Sequence, residues 1–448
     1  MTAISPEPNL PSQPGVSERS RWFVVALLLA INLLNYVDRY VLAAVEPHIR
    51  KDLFPDGAAN INALMGFLPT AFLLSYMITA PLFGWLSDRV NRWWIISGGV
   101  IVWSLASGGS GLASTYAMLL ITRLFIGFGE AAYGPAAPTV LADLFPVERR
   151  GRILSLFYVA IPVGSAIGFL LGGVMADRFG WRTAFYVSLP PGILLGLVCL
   201  AMRDPRQHLA ATGQPAPPVA NHSLADYASL ARIPSYVINT LGMAAMVFAL
   251  GAVAFWMPNY IYRFRREDLP PGVEPSLERV NMIFGAITVT AGITATLFGG
   301  WLGDKLRARW SGSYFLVSGI GMLVGTPIFL LVLVTPFPTA WGLIFLTEFC
   351  LLLNTGPANA VLANVTRPAI RSSAFAINIF LIHLLGDAVS PSLVGWITDL
   401  AGGNMDVGFT AITVAIALSG VLWISGAKFL AADTAAVVAI TAEEGESA

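Results

Sequence analysis

The sequence predicts an all-α membrane protein: twelve transmembrane helices in two six-helix bundles, each bundle built from inverted three-helix repeats. Three observations carry that reading. Mean hydropathy is +0.70 and only 12% of the residues are charged, too little charge to cover a soluble surface for a chain of 448 residues. Apolar runs recur along the whole chain at roughly 20 residues each, the length that crosses a bilayer as a helix. Finally, Gly-x-x-x-Asp occurs four times in register: Gly84 to Asp88, Gly173 to Asp177, Gly300 to Asp304 and Gly395 to Asp399. Copies one and three lie 216 residues apart, and copies two and four 222 apart. Each copy closes the middle span of a three-span unit, first at one face and then at the other, which is the pattern of inverted repeats nested in two halves.

In chain order the spans are 22–46, 61–87, 93–113, 116–143, 152–175, 183–202, 236–262, 280–305, 313–335, 339–364, 373–398 and 406–428. The first ends on an unusual stretch, Asn32 to Pro47, with Asp38 and Arg39 side by side in an apolar run. The second and fifth close on copies of the repeat motif. The fourth carries Arg123 and Glu130, and Pro135, Pro138 and Pro162 are expected to kink spans four and five. Glu348 lies in the tenth span, and His383 and Asp387 in the eleventh. The predicted units are a polar, Pro-rich N-terminal tail (1–21), a first bundle (22–202), a linker (203–235), a second bundle (236–430) and an acidic C-terminal tail (431–448). Sixteen Lys and Arg side chains fall in connections on the face of the termini and eight on the other, so both tails are expected in the cytoplasm. The N-terminus has no charged-then-apolar pattern of a cleaved leader.

Composition excludes several classes. Formal net charge is zero, so nothing points to nucleic acid. Cys199 and Cys350 both fall in apolar runs and read as buried small side chains, not as metal ligands or a disulfide. There is no HExxH, GxSxG, zinc-spaced cysteine set or phosphate loop, so no enzyme site, cofactor or ATP-driven step is expected.

The chemistry lies in the intramembrane charges. A charge in hydrocarbon costs from about 2.5 to more than 10 kcal/mol and persists where it faces a partner or a wet cavity. Neighbours on a helix point about 100° apart, so Asp38 and Arg39 need partners on other helices. At roughly 1.5 Å of rise per residue, Asp38, Arg39 and Arg123 share a depth and Glu130 lies about 10 Å further in. The expected pair is Asp38–Arg123, with Arg39 or a water reaching Glu130. A helix movement that separates such a pair lets the carboxylate take up a proton, and re-pairing expels it; a permanent structural ion pair is the alternative. Arg39 and Arg123 are also candidates to hold an anionic headgroup. His383 and Asp387 lie on one helix face at i and i+4, as a proton relay or a structural hydrogen bond. Polar cavity candidates are Asn32, Asn35, Tyr36, Tyr158, Glu348 and Asn354, beside His383 and Asp387. In the repeat motif, Gly permits close helix approach. Its Asp either latches a neighbouring helix end or is a solvated turn charge; Gly84, Asp88, Arg89, Arg92, Asp177 and Asp304 form the candidate latch.

Gly84-Trp-Leu-Ser-Asp88-Arg89-Val-Asn-Arg92 resembles the signature loop of the major facilitator superfamily, with Asn91 where glycine is usual. The stretch from Arg123 to Ala131 is similar to the superfamily's fourth-helix motif. More narrowly, Asn32 to Tyr40, Gly129 to Pro146 and Arg152 to Phe169 resemble the Spinster family of lipid transporters. The resemblance implies the superfamily fold, with helices 1, 4, 7 and 10 around a central cavity and alternating access. It implies proton-coupled movement of amphipathic lipids, such as lysophospholipids or sphingolipids, by a monomer in the cell's inner membrane. A proton-coupled symporter of small organic anions such as sugar acids is the alternative reading.

Overall fold

The computed structural model describes residues 18–87, 89–145, 147–204, 228–265, 276–367 and 370–446. Among them there are helices and turns but no strand. The first half holds α1 (Glu18–Leu53), α2 (Ile61–Ser87), α3 (Arg92–Gly111), α4 (Tyr116–Tyr133), α5 (Ala136–Leu144), α6 (Val147–Tyr158), α7 (Ala160–Phe179) and α8 (Trp181–Leu200). The second half holds α9 (Pro234–Phe264), α10 (Leu277–Arg307), α11 (Ser313–Val334), α12 (Thr339–Leu352), α13 (Thr355–Val365), α14 (Arg371–Leu385), α15 (Ser390–Leu400), α16 (Met405–Gly426) and α17 (Leu430–Glu446). The predicted N-terminal tail and linker fall mostly outside the described residues, while the predicted C-terminal tail is the helix α17.

Eleven of the twelve spans are long and apolar enough to cross a membrane. The twelfth, α3, is rich in Ser, Gly and Trp and packs between α4 and α8. Side chains such as Ile78, Val334 and Leu297 are 75%, 74% and 70% exposed. Large apolar groups presented outward on this scale fit a lipid surround and not water.

Four spans are broken, and one cause serves all four. A proline lacks the N–H that would bond the carbonyl four residues earlier, and its ring crowds that carbonyl. Pro138 removes the bond to Gly134, between α4 and α5; Pro162 removes the bond to Tyr158, between α6 and α7. Pro357 does the same at Leu353, between α12 and α13, and Pro391 at Asp387, between α14 and α15. These are spans four, five, ten and eleven, related by the repeats. Only the first two breaks were expected from the sequence. Pro69 and Pro258 lie within continuous helices, so a proline alone is not sufficient.

Short polar side chains start the helices. Thr115, Ser276 and Asn404 accept backbone N–H bonds from Met118, Arg279 and Asp406, satisfying groups that the helix leaves open. Asn91, unusual for the signature loop, does the same for Trp93 at 2.9 Å. Arg92 beside it is fully buried. It reaches Asp204 at 2.6 Å, Asp143 at 2.7 Å and Thr139 at 3.2 Å, tying α3, α5 and the end of α8 together within the first bundle. Removing one partner of a buried charge cluster costs about 3–5 kcal/mol. Arg92→Gln should therefore lower the thermal unfolding midpoint by several degrees in detergent; an unchanged midpoint would count against a structural role.

The two bundles meet at the face opposite the termini. Asp177 at the end of α7 accepts the N–H of Glu278 in the first turn of α10 at 2.8 Å, and Arg178 pairs with Glu278 at 2.8 Å. Asp399 at the end of α15 accepts from the N–H groups of Asn62 and Ala63 in the first turn of α2, at 3.2 and 2.8 Å, and from the Asn62 amide at 2.6 Å. A carboxylate at a helix N-terminus meets open N–H groups and the positive end of the dipole. The Asn281 amide adds a bond to the Ala44 carbonyl at 3.0 Å, and Thr70 meets Ser392 at 2.7 Å.

The other motif copies sit at the terminal face. A Cβ on Gly84 or Gly300 would meet nothing within 4 Å. Arg89 lies over the Trp85 ring, 4.0 Å from its centroid, and donates to the Trp85 carbonyl. Asp304 accepts from Tyr314 at 2.7 Å inside its own bundle. Asp88 lies outside the described residues.

Candidate functional site

A cavity of about 600 Å³ runs from the middle of the molecule toward the terminal face. Its polar wall comes from α1, with Asn32, Asn35, Tyr36 and Arg39, and from Glu130 and Tyr133 of α4. Leu73, Tyr76, Met77, Ala80 and Pro81 of α2 face it, and Phe157, Tyr158 and Ile161 close the side. The second bundle contributes Ala376, Ile379, Phe380 and His383 of α14. The walls are thus spans one, two, four, five and eleven, in place of the expected one, four, seven and ten. Span seven turns its central side chains into packing: Trp256 is fully buried and donates to the Pro391 carbonyl at 2.9 Å.

At the inner end, Arg39 grips Glu130. Nε donates to Oε2 at 2.8 Å, and Nη2 lies 2.7 Å from the same oxygen. The Glu130 side chain is wholly buried, whereas that of Arg39 keeps 23% exposure to the cavity. Tyr36, Phe72 and Tyr76 surround the guanidinium, with ring centroids at 5.1, 4.9 and 5.6 Å. Aromatic faces attract a cation and hold it out of bulk water. Phe72 and Tyr76, one helical turn apart, escaped the sequence reading; their shared face was visible in the i, i+4 spacing.

Asp38 points away from this cavity, as the 100° step between neighbours requires. It accepts from Ser107 of α3 at 3.1 Å, and Ser107 meets Ser188 of α8 at 3.2 Å. Arg123 donates to Ser110 of α3 at 2.5 Å and lies 5.2 Å from the Phe185 ring centroid. The expected Asp38–Arg123 ion pair is therefore corrected. Among the described residues the two make no direct bridge; a short hydroxyl side chain of α3, Ser107 or Ser110, one turn apart, meets each charge instead. The roughly 10 Å of rise between the levels of Arg39 and Glu130 is spanned by their side chains.

The remaining candidates divide. His383 Nδ1 lies 2.9 Å from Asp387 Oδ1, with His383 on the cavity wall and Asp387 in the break between α14 and α15. Glu348 is buried and accepts from Thr288 of α10 at 3.2 Å, away from the cavity. Asn354 donates to the Leu351 carbonyl at 2.6 Å at the break before α13, a packing role. Asn32 lines the cavity and donates to the Phe157 carbonyl at 3.0 Å. Asp38, Glu130 and Glu348 each keep one buried carboxylate oxygen, Oδ2, Oε1 and Oε2 respectively, without a hydrogen-bond donor among the described residues. Among the described residues, no group of three or more His, Cys, Asp or Glu could hold a metal ion.

Comparison with known proteins fits this architecture. Residues 28–270 match the family model described as Major Facilitator Superfamily. Protein spinster homolog 3 of Danio rerio is 36% identical over 88% of this chain and 80% of its own. Protein spinster homolog 1 of Homo sapiens is 35% identical over 95% of this chain and 85% of its own. Among solved structures, a bacterial homolog to the human lysosomal transporter Spinster, inward-facing and unoccupied, gives a TM-score of 0.74 at 22% identity. That match covers 94% of this chain and 96% of the other. A D-xylose-proton symporter gives 0.68 at 18% identity, over 92% and 97%.

Proposed function

Since this chain belongs to the Spinster proteins of the major facilitator superfamily, and so is a multi-pass membrane transporter of a small molecule and not an enzyme, we propose that it moves amphipathic lipids coupled to protons. The observation that carries the reading is the division of the cavity. A cation caged by three rings stands at the inner end. Leu73, Met77, Ile379 and Phe380 line the path toward the terminal face. A polar headgroup fits the first region and an acyl chain the second.

The charge arrangement supports proton coupling. A proton on Glu130 would release Arg39 to an anionic headgroup, and its loss would restore the pair and expel the substrate. Asp38 acts on the α3 side, with Arg123 beside it, as a second proton site. The donor-free oxygen on each carboxylate is the place for that proton. Asn35, Tyr36, Tyr158 and Asn32 position the headgroup, and His383 with Asp387 form a relay on the facing wall; Glu348 and Asn354 support the second bundle. Gly84, Asp88, Arg89, Arg92 and Asp304 act at the terminal face when it closes, as Asp177 does at the opposite one. The excess of Lys and Arg supports a cytoplasmic terminal face, in a protein that works as a monomer in the inner membrane.

The test is flux of a labelled lysophospholipid into proteoliposomes under an imposed pH gradient. Wild type is expected to move the lipid in response to the gradient. Accumulation of a sugar acid without lipid movement would keep the coupling and replace the substrate.

A further inference from the structure

A second cavity, of about 500 Å³, opens at the face opposite the termini, between the ends of α1 and α9. Among the described residues, four basic side chains line it, His48, Arg50, Lys51 and Arg263, and no acidic one does. The neighbouring carboxylates already have partners. Asp52 binds Arg182 at 2.6 Å, Asp177 binds the start of α10 and lies 3.6 Å from His48 Nε2, and Glu46 holds Arg50 at 2.8 Å. Arg263 is different: its Nη1 is buried and meets no acceptor among the described residues. A buried guanidinium N–H left open is costly, and cations crowded in one cavity repel each other unless an anion joins them.

We infer that this cavity binds an anion, a phosphate or carboxylate group, between Arg263 of the second bundle and Arg50 and Lys51 of the first. Arg50 is only 7% exposed and is fixed from behind: its Nε donates to Glu46 and its Nη2 to Asn62 at 2.8 Å. Asn62 is the residue that Asp399 grips. The bound anion therefore bridges the bundles beside the Asp399 clasp and favours the state in which this face is shut, by its differential affinity for that state. This site is separate from the central cavity and does not depend on what the central cavity carries.

The experiment uses the full chain in phosphatidylcholine nanodiscs. One arm titrates inorganic phosphate; the other replaces part of the lipid with phosphatidylglycerol. The readout is the unfolding midpoint, which a ligand of the folded state raises in a saturable way. Wild type should show that rise with at least one probe. Arg263→Gln and Lys51→Gln should weaken the apparent affinity roughly tenfold or more, as expected for a lost charge-assisted bond. Arg279→Gln, exposed on the same face outside the cavity, should behave as wild type. A response to phosphate alone assigns the site to free anions, and a response to phosphatidylglycerol alone to lipid headgroups. No saturable rise with either probe, or the same rise in all three variants, overturns the proposal.

Discussion

Glu130→Gln is expected to reduce pH-driven flux by about tenfold or more while the protein still inserts and folds. Glutamine keeps the volume and an acceptor oxygen for Arg39 but can neither take up a proton nor cancel the guanidinium charge. Breaking a fully buried ion pair costs about 3–5 kcal/mol. Here the Arg39 side chain keeps 23% exposure and three ring faces around it, so the stability loss should be smaller, about 1–2 kcal/mol. Flux and unfolding measured on the same preparation separate the two effects. The double variant Arg39→Gln with Glu130→Gln removes both charges and should regain much of the stability without regaining pH-driven flux. Asp38→Asn should also lose pH-driven flux, since it retains the acceptor for Ser107 and loses only the proton site. Wild-type pH-driven flux in both single variants would remove the proton assignment.

Much of this arrangement was legible in the sequence because it is written in local spacing. The length of the apolar runs and the four registered Gly-x-x-x-Asp copies specify the spans and their pairing into halves. What stayed hidden depends on which helix stands next to which. Depth along a helix can be counted at 1.5 Å per residue, and it correctly brought Asp38 and Arg123 near one level. It could not show that Ser107 and Ser110 of α3 would stand ready for each charge. Asp204, the partner of Arg92, is 112 residues away, and no spacing rule reaches that far. The α14 wall of the cavity is hidden for another reason: contacts between the bundles belong to one conformation and not to the chain as a whole. The breaks at Leu353 and Asp387 were readable, four residues before Pro357 and Pro391, had the rule for spans four and five been carried to their repeats.

The same repeats lead to the strongest steric prediction, at the glycines. Gly395 packs against the backbone of α2, and a Cβ there would lie 2.5 Å from the Asn62 carbonyl carbon and 3.0 Å from the Ala63 nitrogen. Gly66 meets the Pro391–Ser392 backbone in the same way, and a Cβ on Gly173 would lie 2.9 Å from the Glu278 Cα. Backbone cannot yield without separating the helices, and overpacking of this kind costs about 1–3 kcal/mol. The cost falls on one state of the cycle only, so it shifts the balance between states by roughly 5- to 150-fold. Gly66→Val is therefore expected to open the face opposite the termini and to reduce flux by a similar factor. Spin labels at Asp56→Cys and Val407→Cys, in a background without Cys199 and Cys350, should report a longer distance across that face. Gly84→Val and Gly300→Val provide the opposite test. Their Cβ positions are free in this state, and the repeat relation places them against backbone when the terminal face closes. They should leave the label distance short and still suppress flux, trapping the state described here. Equal distances and full flux in both sets would mean that these glycines do not gate the two faces in turn.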